Sequence, residues 1–392
     1  IPFYIIALAS FWKVETLGAC VILGSVAFVH LLTFFLCIWS LRYRIHTQYK
    51  RVDDVETADF VHVTAAANCG SSSISPLEKG VDNGNAYWWF DFQKLRFVSA
   101  CDGEDVHFTL LDFPDKEEYS QYLSAYGHTS ESYREAVRKW GENDLRMEIP
   151  SFMELFVEHA TAPFFVFQVF SVLLWCFDDY LGFTLFTLAM LVLMESMQVK
   201  QRIQNMENLR AMRTESFPVL AYRNRSWQYV SSSTLVPGDI ISVSAHRVSK
   251  QSIYQQSAAP AVAPCDVLLL EGTCVVNEAV LTGESVPKSK LGLALTATAE
   301  SLNHRLDISA DSNVNKRNMV YGGTTVILAK PTPGGARSLN DISRPVDGGC
   351  LGYVIRTGYY TSQGDMLRNM MYSSPRATAN NKEAFSFIFL LL

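Results

Sequence analysis

The stretch Asn277-Glu278-Ala279-Val280-Leu281-Thr282-Gly283-Glu284-Ser285-Val286-Pro287 decides how this chain is read. By itself, Thr282-Gly283-Glu284-Ser285 is a polar loop and Glu284 an exposed loop carboxylate; a four-residue string carries weight only in context. The context lies upstream, in Leu235-Val236-Pro237-Gly238-Asp239 and Pro264-Cys265-Asp266-Val267-Leu268-Leu269-Leu270. These strings are spaced along a run of short strand candidates: Phe217–Tyr222, Trp227–Val230, Ile240–Ser244, Val267–Leu270, Thr273–Val276, Met319–Leu328 and Cys350–Arg356. Arg223-Asn224, Pro237-Gly238-Asp239, Glu271-Gly272, Gly322-Gly323 and Gly348-Gly349 supply turn chemistry between them. Many short strands with such turns predict a compact β domain. Ser249–Pro264, rich in Ser, Gln, Ala and Pro, and the largely polar Gly292–Lys316 read as its surface insertions.

Two apolar blocks precede this domain. Thr16 to Leu41 contains no Asp, Glu, Lys or Arg, and it exceeds the roughly 20 residues that a spanning helix needs. It is too long for the apolar core of a signal peptide, and no small-residue cleavage site follows it. Arg42, Arg44, Lys50 and Arg51 come next, which puts that end in the cytosol by the positive-inside rule. The second block, Ala162 to Met194, is broken only by Asp178 and Asp179. Two adjacent carboxylates at mid-bilayer are costly. They are expected in a turn between two helical arms, Ala162–Phe177 and Tyr180–Met194, with Phe152–Thr161 extending the first arm. Lys200, Arg202, Arg210 and Arg213 place the exit on the cytosolic side as well, and Ser196–Thr214 reads as a charged helix leaving the membrane. Ile1–Trp12 reads as the tail of an earlier helix and Phe385–Leu392 as the start of a further one, so the chain is expected to be a fragment.

Between the blocks, His46 to Pro150 has a mixed pattern. Phe60–Ala66 alternates as a strand does, Tyr87–Val98 alternates and is rich in aromatics, and Glu117–Glu142 has helical periodicity. The Trp-Trp-Phe run reads as core packing rather than as a ligand platform. Of the 392 residues, 48% are hydrophobic and 18% charged, and the mean hydropathy is +0.08. That balance argues against disorder and against a purely soluble protein. A net charge of −6 offers no general nucleic-acid footprint. The eight cysteines form no CxxC pair, so neither a zinc site nor a dense disulfide framework is indicated.

In these surroundings, the three strings closely resemble the actuator domain of P-type ATPases. Met153-Glu154-Leu155-Phe156 and Glu158-His159-Ala160-Thr161-Ala162-Pro163-Phe164-Phe165-Val166-Phe167-Gln168-Val169-Phe170 are similar to the beginning of the first core helix in type V, subgroup A. Phe90-Asp91-Phe92-Gln93-Lys94, Gly322-Gly323-Thr324, Pro345-Val346-Asp347-Gly348-Gly349-Cys350, Thr357-Gly358, Thr361-Ser362-Gln363-Gly364 and Asn380-Asn381-Lys382-Glu383 resemble other stretches of that subgroup. The resemblance covers nearly the whole chain, including an N-terminal membrane segment and a following cytosolic domain that other P-type classes usually lack.

The resemblance implies a multi-domain membrane protein, with α-helical transmembrane segments, a β-rich cytosolic actuator domain and a mixed α/β N-terminal cytosolic domain. The expected division is 1–45 for the N-terminal membrane part, 46–150 for the N-terminal cytosolic domain, 151–197 for the helical hairpin, 198–384 for the actuator domain with linkers, and 385–392 for the next membrane helix. It also implies a multi-pass ATP-driven pump of the endoplasmic reticulum membrane, its soluble domains cytosolic, passing through an aspartyl-phosphate. Hydrolysis of that phosphate needs a water held in line and a carboxylate to take its proton. Glu284 is the candidate, Gly283 would let the backbone approach the phosphate, and the hydroxyls of Thr282 and Ser285 would brace the loop.

ATP and Mg²⁺ are the implied cofactors, bound outside this chain; no cofactor or metal site is expected within it. The family's phosphorylated Asp lies in a DKTGT string that is absent here. Asp115-Lys116 is followed by Glu117 and precedes the hairpin, and no Walker A string replaces the missing parts. The chain alone is therefore expected not to hydrolyse ATP. The implied partners are membrane lipid and a protein whose transmembrane helix is extracted, with no nucleic acid. The alternatives are a Mn²⁺ or Ca²⁺ transporter and a truncated, non-catalytic membrane scaffold. Gln168 is the main polar residue within the hairpin, which disfavours a cation site there.

Overall fold

The computed structural model describes residues 16–66, 70–82, 85–102, 105–175, 181–211, 215–248, 256–296, 305–306, 308, 316–332 and 342–372. Ile1–Trp12, Asp178-Asp179 and Phe385–Leu392 lie outside them. The described helices are α1 (Thr16–Trp39), α2 (Leu41–Gln48), α3 (Tyr119–Leu123), α4 (Ser130–Trp140), α5 (Phe152–Ala160), α6 (Pro163–Leu174), α7 (Leu181–Ala211), α8 (Ala279–Thr282), α9 (Leu293–Thr296) and α10 (Ser362–Tyr372). The strands are β1 (Phe60–Val63), β2 (Ser73–Pro76), β3 (Glu78–Asp82), β4 (Asn85–Phe92), β5 (Leu95–Asp102), β6 (Asp105–Leu110), β7 (Pro218–Arg223), β8 (Ser226–Ser231), β9 (Ile240–Val243), β10 (His246–Val248), β11 (Gln256–Val262), β12 (Asp266–Glu271), β13 (Thr273–Asn277), β14 (Lys288–Leu291), β15 (Met319–Val320), β16 (Thr325–Lys330) and β17 (Cys350–Arg356). Contacts gather the chain into two units, one drawn from Ile1–Ile74 and Glu148–Asn208, the other from Ser75–Met147 and Leu209–Ser373.

The first unit holds the apolar helices. Val21–Trp39 and Leu181–Ala211 are each long and apolar enough to cross a membrane. On α1, Val21, Phe28, Val29, Leu31 and Phe34 are all exposed, the pattern of a helix whose solvent is lipid. Its Ser25 and Thr33 hydroxyls donate to the carbonyls of Val21 and Val29 one turn back, which satisfies them without water. Helices α5 and α6 do not continue one another, as the sequence had suggested; they meet at 70°. Pro163 opens α6 and has no N–H with which to extend α5. The Trp39 indole N–H donates to the Thr161 carbonyl in the bend, at 2.6 Å.

Helix α7 merges the second membrane arm with the charged helix beyond it into 31 continuous residues. Where its apolar stretch ends, Glu195 Oε1 lies 2.6 Å from His159 Nδ1, and Arg202 lies 2.9 Å from His159 Nε2. A guanidinium only donates, so Nε2 accepts and Nδ1 carries its proton toward Glu195. The His159 imidazole thus joins α5 to α7 between a carboxylate and a cation.

In the second unit, one sheet has the order β15-β12-β17-β9-β7-β8 and another β10-β11-β16-β13-β14. Between them sit Leu235, Ile241, Val267, Leu269, Val276 and Val354, all fully buried. The opposite face of the six-stranded sheet carries Ile240, Leu268, Leu270, Met319 and Ile355, also buried, under Tyr122, Leu293 and Leu306. Both faces of β12 are thus covered, which explains why Val267–Leu270 is a continuous apolar run rather than an alternation. The cover includes Asp115–Tyr122: Leu306 and Ile308 donate their N–H groups to the carbonyls of Glu117 and Asp115, and Asp115 pairs with Arg356. Further along the same segment, Asn143 Nδ2 donates to the carbonyls of Ser232 and Pro264, both at 2.9 Å. Its Oδ1 accepts from the Gly358 N–H at 2.8 Å.

A further sheet, β3-β4-β5-β6, is a meander whose β4–β5 turn has Gln93 and Lys94 at φ 50° and 64°. Two positive φ values match the right-handed strand twist of a two-residue hairpin. The expected helix over Glu117–Glu142 is instead α3 and α4, separated around Gly127, whose φ is +70° and whose missing Cβ makes room for the Tyr222 carbonyl.

Three sequence readings are corrected here. Gln256–Val262, within the expected surface insertion Ser249–Pro264, is β11, paired to β10 and β16; its Ala and Ser residues lack the β-branched signal of a strand. Within Gly292–Lys316, Leu293 and Leu306 are core residues. Met319–Leu328 is two strands in different sheets, turned apart by Gly322-Gly323.

A buried ion pair fastens the turn Leu235–Asp239. Arg223 Nε and Nη2 donate to the Asp239 carboxylate at 2.8 and 2.6 Å, Nη2 also reaches the Thr234 carbonyl, and Asp239 Oδ2 accepts from the Val236 N–H. Removing one partner of such a pair strands the other charge in the interior. Asp239→Ala is expected to cost about 3–5 kcal/mol and to lower the thermal midpoint of this unit by roughly 10 °C. Calorimetry of the purified chain checks this; an unchanged midpoint contradicts it.

Candidate functional site

The loop of interest connects β13 to β14, an antiparallel pair in which Val276 faces Lys288. Asn277 Oδ1 accepts from the Ala279 N–H and starts the single turn α8. Gly283 ends it in the left-handed region, at φ 77°, with its N–H donating to the Ala279 carbonyl. A side chain there would be strained even though the space is open. The Thr282 hydroxyl donates to the Glu278 carbonyl and accepts from the Glu284 N–H, both at 3.2 Å. The loop is therefore pinned from within, and the Glu284 side chain, 65% exposed, projects from it. Ser285 and Val286 are exposed beside it. Among the described residues, the Ser285 hydroxyl makes no hydrogen bond.

Beneath the loop lies a charged cluster that sequence reasoning missed. Glu278 is buried, with its side chain 4% exposed. Lys290 Nζ stands 2.6 Å from its Oε1, a charge contact rather than an aligned hydrogen bond, and Lys290 donates to the Lys316 carbonyl at 2.8 Å. Lys288 Nζ lies 3.3 Å from Glu278 Oε2 and 3.2 Å from Glu284 Oε2. The two carboxylates raise the Lys288 pKa, Glu284 most. The signal in the sequence was the spacing Lys288-Ser289-Lys290, which in a strand puts both lysines on one face.

Helix α10 packs against α8. Its first residue is held by Asp266, whose Oδ2 accepts from the Ser362 N–H and hydroxyl, while Oδ1 accepts from the Gly322 N–H. Among the described residues, no group of three or more His, Cys, Asp or Glu side chains could hold a metal ion. The arrangement presents one carboxylate on a braced loop to whatever approaches it.

Comparison with known proteins gives this loop a family context. The P-type ATPase actuator domain matches residues 258–336. An endoplasmic reticulum transmembrane helix translocase of Saccharomyces cerevisiae is 33% identical over 95% of this chain and 29% of its own length. A protein of the same description from Aspergillus fumigatus is 36% identical over 94% of the chain and 28% of its own length. A probable manganese-transporting ATPase of Arabidopsis thaliana is 35% identical over 97% of the chain and 31% of its own length. The chain thus spans about three tenths of the curated relatives it matches.

Asp266 gives the support of the loop a pH dependence. Burial pushes its carboxyl up from 3.8 to about 6, against the lowering effect of its hydrogen bonds and of Arg356. The unfolded chain releases this proton near its ordinary value, the folded chain only near 6. The contribution of Asp266 to stability is therefore greatest below about pH 4 and is lost as pH rises through about 6. Between pH 5 and pH 7 the parent should lose about 1 kcal/mol relative to Asp266→Asn. Denaturant titrations of both proteins at the two pH values check this; parallel changes contradict it.

Proposed function

The chain belongs to the P-type ATPases of type V, subgroup A, and from that premise we propose that it is the actuator-bearing part of an ATP-driven transporter, in which Glu284 directs water onto an aspartyl-phosphate. The observation that carries the reading is Glu284 itself: an exposed carboxylate held out on a loop that Gly283 and Thr282 brace. In the step proposed, the water oxygen attacks phosphorus and Glu284 takes the water's proton. The bond from phosphorus to the aspartyl oxygen breaks, releasing inorganic phosphate and the free carboxylate. The described residues supply no cage for Mg²⁺, and the reading assigns ATP, Mg²⁺ and the phosphorylated Asp to residues outside this chain.

The cargo proposed is a transmembrane helix of another protein in the endoplasmic reticulum membrane, in keeping with the names of the yeast and Aspergillus relatives. The basic residues after α1 and along α7 support a cytosolic position for the soluble parts. A second reading, Mn²⁺ as cargo, follows the name of the Arabidopsis relative. The described apolar helices favour the first, since few of their residues could serve as hard-cation ligands.

Glu284→Gln in the full-length protein should slow dephosphorylation by about 10²–10⁴-fold and let phosphoenzyme accumulate. Pulse-chase labelling with ATP measures this, and unchanged turnover overturns the role of Glu284. ATPase activity stimulated by an apolar helical peptide but not by Mn²⁺ is expected; the reverse overturns the choice of cargo.

A further inference from the structure

We propose that Lys288 is a positioning residue for Glu284, linking it to the buried Glu278–Lys290 pair; this rests on the reading of Glu284 given above. An exposed ion pair four residues apart adds little to stability, so the role inferred is geometric. Four observations on the site support it.

Lys288 is the first residue of β14, and its backbone is held in register opposite Val276. Its ammonium lies between two carboxylates, 3.3 Å from Glu278 and 3.2 Å from Glu284. The first of these does not wander: Glu278 is buried, Lys290 faces its other oxygen, and Lys290 is itself tied to the Lys316 carbonyl. The second would otherwise be free to rotate, because Glu284 sits on a solvent-exposed loop and Lys288 is its side chain's one ion-pair or hydrogen-bond partner among the described residues.

The chain of contacts runs from the interior outward: Lys290, Glu278, Lys288, Glu284. Each link alternates in sign, so the buried carboxylate is neutralised and one positive charge is left to hold the outer carboxylate. Lys290 is needed to bury Glu278, whereas Lys288, 40% exposed, is not. Its placement serves the residue on the other side. A carboxylate held in one place loses less freedom on reaching its reactive position, and small misplacements are costly in rate.

The test uses full-length protein carrying Lys288→Met, Lys288→Arg or Glu284→Gln, phosphorylated from ATP and chased. Phosphoenzyme formation in each shows that the variant folds. Lys288→Met should dephosphorylate about tenfold more slowly than the parent. Lys288→Arg should return the rate to within about twofold of the parent. A Lys288→Met dephosphorylation rate equal to the parent's, while Glu284→Gln is blocked, overturns the role of Lys288 and leaves that of Glu284 standing. Normal dephosphorylation in Glu284→Gln overturns both. A slowed Lys288→Met that Lys288→Arg does not rescue also overturns the proposal, since a purely structural residue behaves in that way.

Discussion

The structure of the second unit depends on a sheet that is apolar on both faces. Val267 and Leu269 of β12 point between the two sheets, and Leu268 and Leu270 point away from them. A strand of this kind cannot be left half exposed without losing about 1.5–3 kcal/mol for each large side chain uncovered. The neighbouring sheet covers one face. The other is covered by pieces distant in sequence: Tyr122 from ahead of the apolar hairpin, and Leu293 and Leu306 from beyond the Glu284 loop. The segment through Asn143 then closes over the edge, with its amide filling three backbone hydrogen-bonding positions. The placement of the loop inherits its rigidity from this double cover, because α8 leans on α10, and α10 is pinned to the same β12 through Asp266.

Much of this was legible in the residues. Strands with a β-branched or aromatic pattern, such as β7, β8, β12, β13 and β17, were read close to where they lie, and so were the turns at Asn224 and Gly238. Two of the strands that were missed, β11 and β14, share a cause. In β11 the interior residues are Ala and Ser, and in β14 they are Lys and Ser. These become strands only because partners on either side complete their ladders, a tertiary effect that local propensity does not contain. The same holds for the cover over β12. Nothing in Asp115–Tyr122 announces that it will lie on a sheet formed a hundred or more residues later.

For the site, the loop was legible and its foundation was not. Thr282, Gly283 and Glu284 form a string, and a string can be recognised. Glu278 and Lys290 are a buried charge and its counter-charge, which sequence presents as two ordinary surface residues. The lysines' common face follows from strand periodicity, but only once β14 is known to be a strand.

The unbroken run of α7 has a consequence of its own. Glu195 and Arg202 are seven residues apart, close to two full turns, and both meet the one imidazole of His159. Two fixed points on one stripe define the helix's azimuth as well as its height. A single-residue insertion between them would turn everything beyond by about 100° and advance it by 1.5 Å, so the spacing of these two side chains acts as an indexing mark. The number of residues between Glu195 and Arg202 is thus constrained by helical phase, separately from their identity.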